Sequence, residues 1–192
     1  KHYLLWSYHH ILSDGWSGVI ILDELRSIYE SLIGRKVINL PARRPYRDYI
    51  AWLTQQNQED GGIYWRDILR GVKPTKFISK DIRENTTNTP KESSFILNEE
   101  ASQQLLDYAG ELGVTLNTVL QTLWGIVLSV YTSQNDVTFG VVVSGRQNNL
   151  LGIDSLVGVF INTLPLRVQF KEGEHLETLI NRMQSQMVGM QE

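Results

Sequence analysis

The sequence holds no cysteine, so disulfides and thiolate metal sites are excluded, and a reducing compartment such as the cytoplasm fits. None of its apolar runs approaches the roughly 20 residues that a membrane helix needs, so no membrane association is expected. Neither sign of charge dominates: 18 basic residues stand against 21 acidic ones, for a net charge of -3. That leaves no nucleic-acid footprint. Glycine-rich phosphate loops, internal repeats and low-complexity tracts are missing as well, so no nucleotide is expected. Histidine is scarce, with four in 192 residues.

What is present is ordinary globular material. The length suits one large domain or parts of two small ones, with enough chain for a sizeable core. Apolar runs predict strands over 2–9, 93–98, 136–146 and 157–170. Helices are expected over 18–34, 46–58, 63–71, 99–113, 115–134 and 175–187. In the first, Ile21, Leu25, Ile28 and Leu32 mark one apolar face, and Gly34 is a natural stop. Asp14 or Ser17 is available to cap its start, and Asn98 to cap the fourth. The helix at 115–134 is apolar on most sides and is expected to be central and buried. Alternating strands and helices give an α/β class. Residues 72–92, with Pro74, Pro90 and ENTTNT, read as a linker or long loop between 1–71 and 93–192. The chain begins with Lys and ends in the helical pattern NRMQSQMVGMQE, so it is expected to be an internal piece of a longer protein.

One stretch carries most of the chemistry. In SYHHILSDGWSG (7–18), His9 and His10 stand side by side, followed by Asp14 and Gly15. Three readings compete. A histidine beside an apolar strand is commonly a satisfied core residue. Metal chelation fits poorly, because adjacent side chains on an extended strand point to opposite faces, and His2 and His175 have no ligand spacing. The third reading is a general base: one imidazole, with a pKa near neutrality, faces out while Asp14 fixes the turn and Gly15 lets it bend. Spacing alone leaves these open.

The turn resembles the HHxxxDG signature of the condensation domains of nonribosomal peptide synthetases, relatives of chloramphenicol acetyltransferase. YRDYIAW (46–52), VTFGVVVSGR (137–146) and VGVFINTLPLR (157–167) are similar to the family's following motifs, in the same order and spacing. The likeness covers essentially the whole chain. The family's first two motifs and last two are not in it.

The resemblance implies a two-lobed acetyltransferase-like α/β fold, here truncated at both ends. It implies peptide-bond formation between a donor acyl or peptidyl thioester and an acceptor aminoacyl thioester. Both travel on phosphopantetheine arms of donor and acceptor carrier proteins, beside an adenylation domain. No cofactor or metal is bound by the domain itself. Carried over by motif position, His10 is the catalytic histidine, as base or as positioner of the amine. Gly15 offers its N–H to an oxyanion, and Asn162 faces the substrate tunnel. His9 packs structurally, and Asp14 forms a salt bridge for which Arg146 is the candidate, with an Arg from the family's preceding N-terminal part as the other. Trp16, Trp52 and Phe160 read as packing, and Asp48 and Arg167 as structural. An acyltransferase using acyl-coenzyme A, or a non-catalytic docking module, is the alternative.

Overall fold

The computed structural model describes residues 3–34, 37–75, 92–146 and 150–190. The element order is α1 (Gly15–Leu32), α2 (Tyr46–Leu53), α3 (Gln58–Ile68), α4 (Glu99–Glu111), α5 (Leu116–Thr132), β1 (Asp136–Ser144), a 3-10 turn (Ile153–Ser155), β2 (Ile161–Gln169) and α6 (Leu176–Gly189). The chain divides into two compact units. One comprises residues 1–64 and 142–164, the other 65–141 and 165–192. Most of the expected linker, 76–91, lies outside the described residues. Among the described residues, no single helix is long and apolar enough to cross a membrane.

Helix boundaries follow their caps. Asp14 opens α1 by accepting the Ser17 N–H at 2.8 Å, and Gly34, at φ +73°, follows its end. Asn98 accepts the Ala101 N–H at 2.8 Å to open α4, and Thr115 accepts the Thr118 N–H at 3.1 Å to open α5. Each side chain satisfies a donor that the first helical turn cannot use internally.

In the second unit, α5 packs on α4 and on α6. Ala109, Val119 and Ile180 form the contact, with Tyr108, Leu112 and Val114 around it. Thr118 is buried on α5 and donates its hydroxyl to Gln184 Oε1 of α6 at 2.6 Å, so the polar atom is not left unpaired. Arg167 on β2 grips both carboxylate oxygens of Asp136 on β1, at 2.6 and 2.9 Å. Its remaining nitrogen, Nη1, donates to the carbonyls of Ile68 and Arg70, at 2.7 and 2.9 Å, covering the exit of α3. The Asp136 carboxyl is held below its ordinary pKa, first by this hydrogen bond.

β1 and β2 form a two-stranded sheet. The Gly145 N–H donates to Phe160 O at one end and the Phe170 N–H to Asn135 O at the other, both at 2.8 Å, which makes the pair antiparallel.

Several expectations change. Of the strands expected over 2–9 and 93–98, the described residues 3–9 and 93–98 are not strands. Tyr3, Leu5, Phe95 and Ile96 are almost fully exposed. Apolar residues alone do not make a strand without a ladder to join, and the described sheet contains only β1 and β2. The predicted strand at 157 starts only at Ile161. The stripe on α1 is open to solvent at Leu25, Ile28 and Leu32, and only Ser17 of that helix is buried. Helix α5 buries Thr118, Val119, Thr122, Gly125, Leu128 and Thr132 but exposes Leu120, Trp124, Val127, Val130 and Tyr131, so it is half-buried rather than central.

Gly125 shows how tightly the buried half fits. A Cβ there would lie 2.7 Å from Val168 Cγ2 and 3.1 Å from its Cβ. Alanine in mid-helix gains about 1 kcal/mol over glycine, whereas overpacking costs about 1–3 kcal/mol. Val168 is branched at Cβ and fully buried, so the clash should win. Gly125→Ala is expected to lower the urea midpoint; an unchanged or raised midpoint would show that Val168 yields.

Candidate active site

The turn between His9 and Ser17 is built from its own residues first. The Leu12 N–H donates to His9 O at 3.0 Å, and the Ile11 N–H to His9 Nδ1 at 3.1 Å. A neutral His9 therefore carries its hydrogen on Nε2. Both histidines are exposed. His9 was expected to pack, and instead it braces the turn by that one bond. His10 follows at the turn, open to solvent.

Behind the histidines the polarity is buried. Asp14 and Arg146 are 2% and 7% exposed, and Arg146 Nη2 lies 3.1 and 3.3 Å from the two Asp14 oxygens. Asp14 Oδ1 also accepts the Ser17 N–H and lies 2.8 Å from the Ser17 hydroxyl, while Oδ2 accepts the Phe160 N–H at 3.1 Å. Burial by itself would raise the Asp14 pKa. The bonds from Ser17, Phe160 and Arg146 outweigh it and hold the carboxyl below its usual value. Arg146 also gives Nη1 to the carbonyls of Ile153 and Leu156, at 2.9 and 3.0 Å, and lays its guanidinium 3.9 Å over the Phe160 ring. Arg146 Nε has no partner among the described residues.

Phe160 sits in an apolar cluster with Tyr49, Ile153 and Leu156, flanked by Tyr46, Trp52 and Leu150. Tyr46 and Tyr49 come from α2, one turn apart, so both reach the same side. The Tyr46 hydroxyl donates to Val159 O at 2.6 Å. Its ring fills the space where a side chain on Gly158 would begin: a Cβ there would come within 2.0 Å of the ring. Glycine at 158 is thus dictated by packing.

At Gly15 the sequence argument needs correction. Its backbone is not left-handed, and a Cβ would meet nothing within 4 Å. The turn does not need glycine's conformational freedom. Gly15 is the first residue of α1, where an N–H has no partner inside the helix. Asn162 is exposed on β2, with Oδ1 accepting the Thr163 N–H at 2.8 Å. Trp16 is also largely exposed, with Nε1 donating to Asp154 O at 2.9 Å, and so is not a packing residue. Trp52 and Phe160 do pack. Asp48 pairs with Arg44 at 3.2 Å on the surface of α2. Ser17, Tyr46 and Gly158 were not singled out as parts of the site. The DGWS, YRDY and VGVF stretches that contain them were the available signal.

Four separated stretches of sequence therefore meet around one buried carboxylate. The family model of the condensation domain matches residues 1–192. The chain belongs to the condensation-domain family. It is 40% identical to gramicidin S synthase 2 of Brevibacillus brevis over 194 residues, covering 100% of this chain and 4% of the synthase. It is 40% identical to bacitracin synthase 3 of Bacillus licheniformis over 187 residues, covering 96% of this chain and 3% of that protein. Among solved structures it resembles the first condensation domain of the CDA synthetase, with TM-score 0.74, 22% identity, and coverage of 95% of this chain and 41% of that one. The epimerization domain from the third module of tyrocidine synthetase B aligns with TM-score 0.73, at 20% identity, over 95% of this chain and 42% of that one. The fold is accordingly the acetyltransferase-like α/β fold of condensation domains, of which the chain covers a portion.

In this condensation-domain chain, Asp14→Asn replaces an acceptor by a donor that faces either Arg146 or the Phe160 N–H. Breaking a buried pair in this way costs about 3–5 kcal/mol. The folded pKa of Asp14 lies below the ordinary 3.8, so on acidification the unfolded chain binds the proton first. The stabilisation is complete above about pH 5 and is lost as pH falls through the lowered folded value. The stability gap between wild type and Asp14→Asn should be constant from pH 7 to about pH 5 and narrow below it. Urea titrations across that range check this; a gap that widened in acid would contradict it.

Proposed function

We propose that this chain provides the catalytic turn of a condensation domain that joins a donor acyl or peptidyl thioester to an acceptor aminoacyl thioester. The amine nitrogen attacks the thioester carbonyl, the C–N bond forms, the C–S bond breaks, and the proton lost by nitrogen ends on the departing thiolate. Both substrates would arrive on phosphopantetheine arms of donor and acceptor carrier domains, with an adenylation domain alongside and the cytoplasm as the compartment. The observation that carries this reading is the arrangement around the turn. Asp14 is buried and spent on Ser17, Phe160 and Arg146, while His10 is left open to solvent.

In this reading His10 takes the amine's proton or holds the amine in line with the carbonyl. An α-amino group has a pKa of about 7.7–8.0, so part of it is already neutral at pH 7 and positioning gains weight relative to basicity. The Gly15 N–H, at the head of α1, is suited to a developing oxyanion. Asn162 is an exposed amide that would face the substrates. His9, Asp14 and Arg146 shape the turn.

The test uses the whole protein that carries this chain, with loaded donor and acceptor carriers and product followed by mass spectrometry. His10→Ala is expected to lower product formation by roughly 10²–10⁴-fold while the protein stays folded. Equal product from both would leave the turn structural. No product from wild type, with transfer from acyl-coenzyme A instead, would favour a different donor.

A further inference from the structure

The segment Gly158–Phe160 directly precedes β2 and Asn162, and it is held by side chains. The Gly158 N–H donates to Ser17 Oγ at 3.0 Å, and its carbonyl receives the Asp14 N–H at 3.2 Å. The Val159 carbonyl takes the Tyr46 hydroxyl at 2.6 Å, and the Phe160 N–H goes to Asp14 Oδ2 at 3.1 Å. The Phe160 carbonyl receives the Gly145 N–H at 2.8 Å, where the strand pairing begins.

Ser17 is the junction. Its hydroxyl is fully buried. It accepts from the Gly158 N–H and from Arg146 Nη2 at 3.1 Å, and its one hydrogen has Asp14 Oδ1 and Gly158 O both at 2.8 Å. No helix cap requires this, because Asp14 already caps α1. The hydroxyl instead binds the turn that carries His10 to the segment that carries Asn162.

We propose that Ser17, with Tyr46 as a second arm, is a positioning residue that sets Asn162 for the reaction. This rests on the condensation reading, since Asn162 acts only there. The clamp itself can be read without activity.

The experiment measures amide hydrogen exchange and steady-state kinetics in the whole protein carrying this chain. The variants are Ser17→Ala, Tyr46→Phe, Asn162→Ala and Ser17→Ala with Asn162→Ala. In Ser17→Ala the Gly158 and Phe160 amides should exchange at least about tenfold faster, the scale of one lost buried hydrogen bond, with α5 unchanged. The kcat should fall about 10–10²-fold with KM for either carrier substrate nearly constant, as a misplaced group costs turnover rather than binding. In the Asn162→Ala background that loss should vanish, because Ser17 acts through Asn162. Unchanged exchange at Gly158 and Phe160, or a kcat loss that adds fully to that of Asn162→Ala, would overturn the proposal. If Ser17→Ala unfolds, Tyr46→Phe keeps the ring that fits Gly158 and is read in the same way. A wild type that makes no product would sink the condensation reading, while the exchange data still decide the clamp.

Discussion

The ion pair between Asp14 and Arg146 is the constraint on which the rest of the turn depends. Neither charge tolerates such burial alone, and a pair in a dry site is stable only when its remaining donors and acceptors are also met. That requirement accounts for residues far apart in the chain. Ser17 and the Phe160 N–H complete the carboxylate. The carbonyls of Ile153 and Leu156 and the face of Phe160 complete the guanidinium. Tyr46 and Tyr49 then close the apolar side around Phe160. The charge at Asp14 thus answers to an arginine and an aromatic far along the chain, and the ring of Tyr46 in turn dictates the glycine at 158.

This dependence explains what could be read in advance. The pairing of Asp14 with Arg146 was legible because a buried acid demands a base, whereas the demand of the Tyr46 ring for no side chain at 158 shows only in the packing. The start of α4 was legible because Asn98 caps locally, needing nothing from the rest of the chain, whereas α1 and α3 begin at Gly15 and Gln58, ahead of the expected 18 and 63. Strands were not legible in the same way. A strand is defined by its neighbour, and apolar content at 3–9 and 93–98 says nothing about whether a neighbour is present. The same holds for the apolar faces of α1 and α5. Periodicity shows which side could be buried, and only packing shows what buries it.

The clamp on 158–160 was hidden for a different reason. A sequence shows β-branched and aromatic residues running through 157–170, and nothing there distinguishes backbone held by a ladder from backbone held by side chains. The distinction matters mechanically. A ladder fixes register through equivalent bonds and can slip by a residue, whereas Asp14, Ser17 and Tyr46 each meet a particular backbone atom. Slipping by one residue would place a side chain where Gly158 now admits the Tyr46 ring.

The occupancy of Asp14 also bears on what His10 can be. In a hydrolytic triad, a buried carboxylate accepts a hydrogen bond from the histidine, orients it and stabilises its cation. Here both carboxylate oxygens are committed, and their partners are Ser17, Arg146 and Phe160. The negative charge is answered within the buried network, and the histidine stands outside it. Asp14 therefore gives His10 none of the orientation that a triad carboxylate gives its histidine. In the proposed reaction Asp14 thus serves the turn and not the imidazole. The placement of His10 then rests on the backbone beneath it, which Asp14, Ser17 and Arg146 tie down through buried hydrogen bonds.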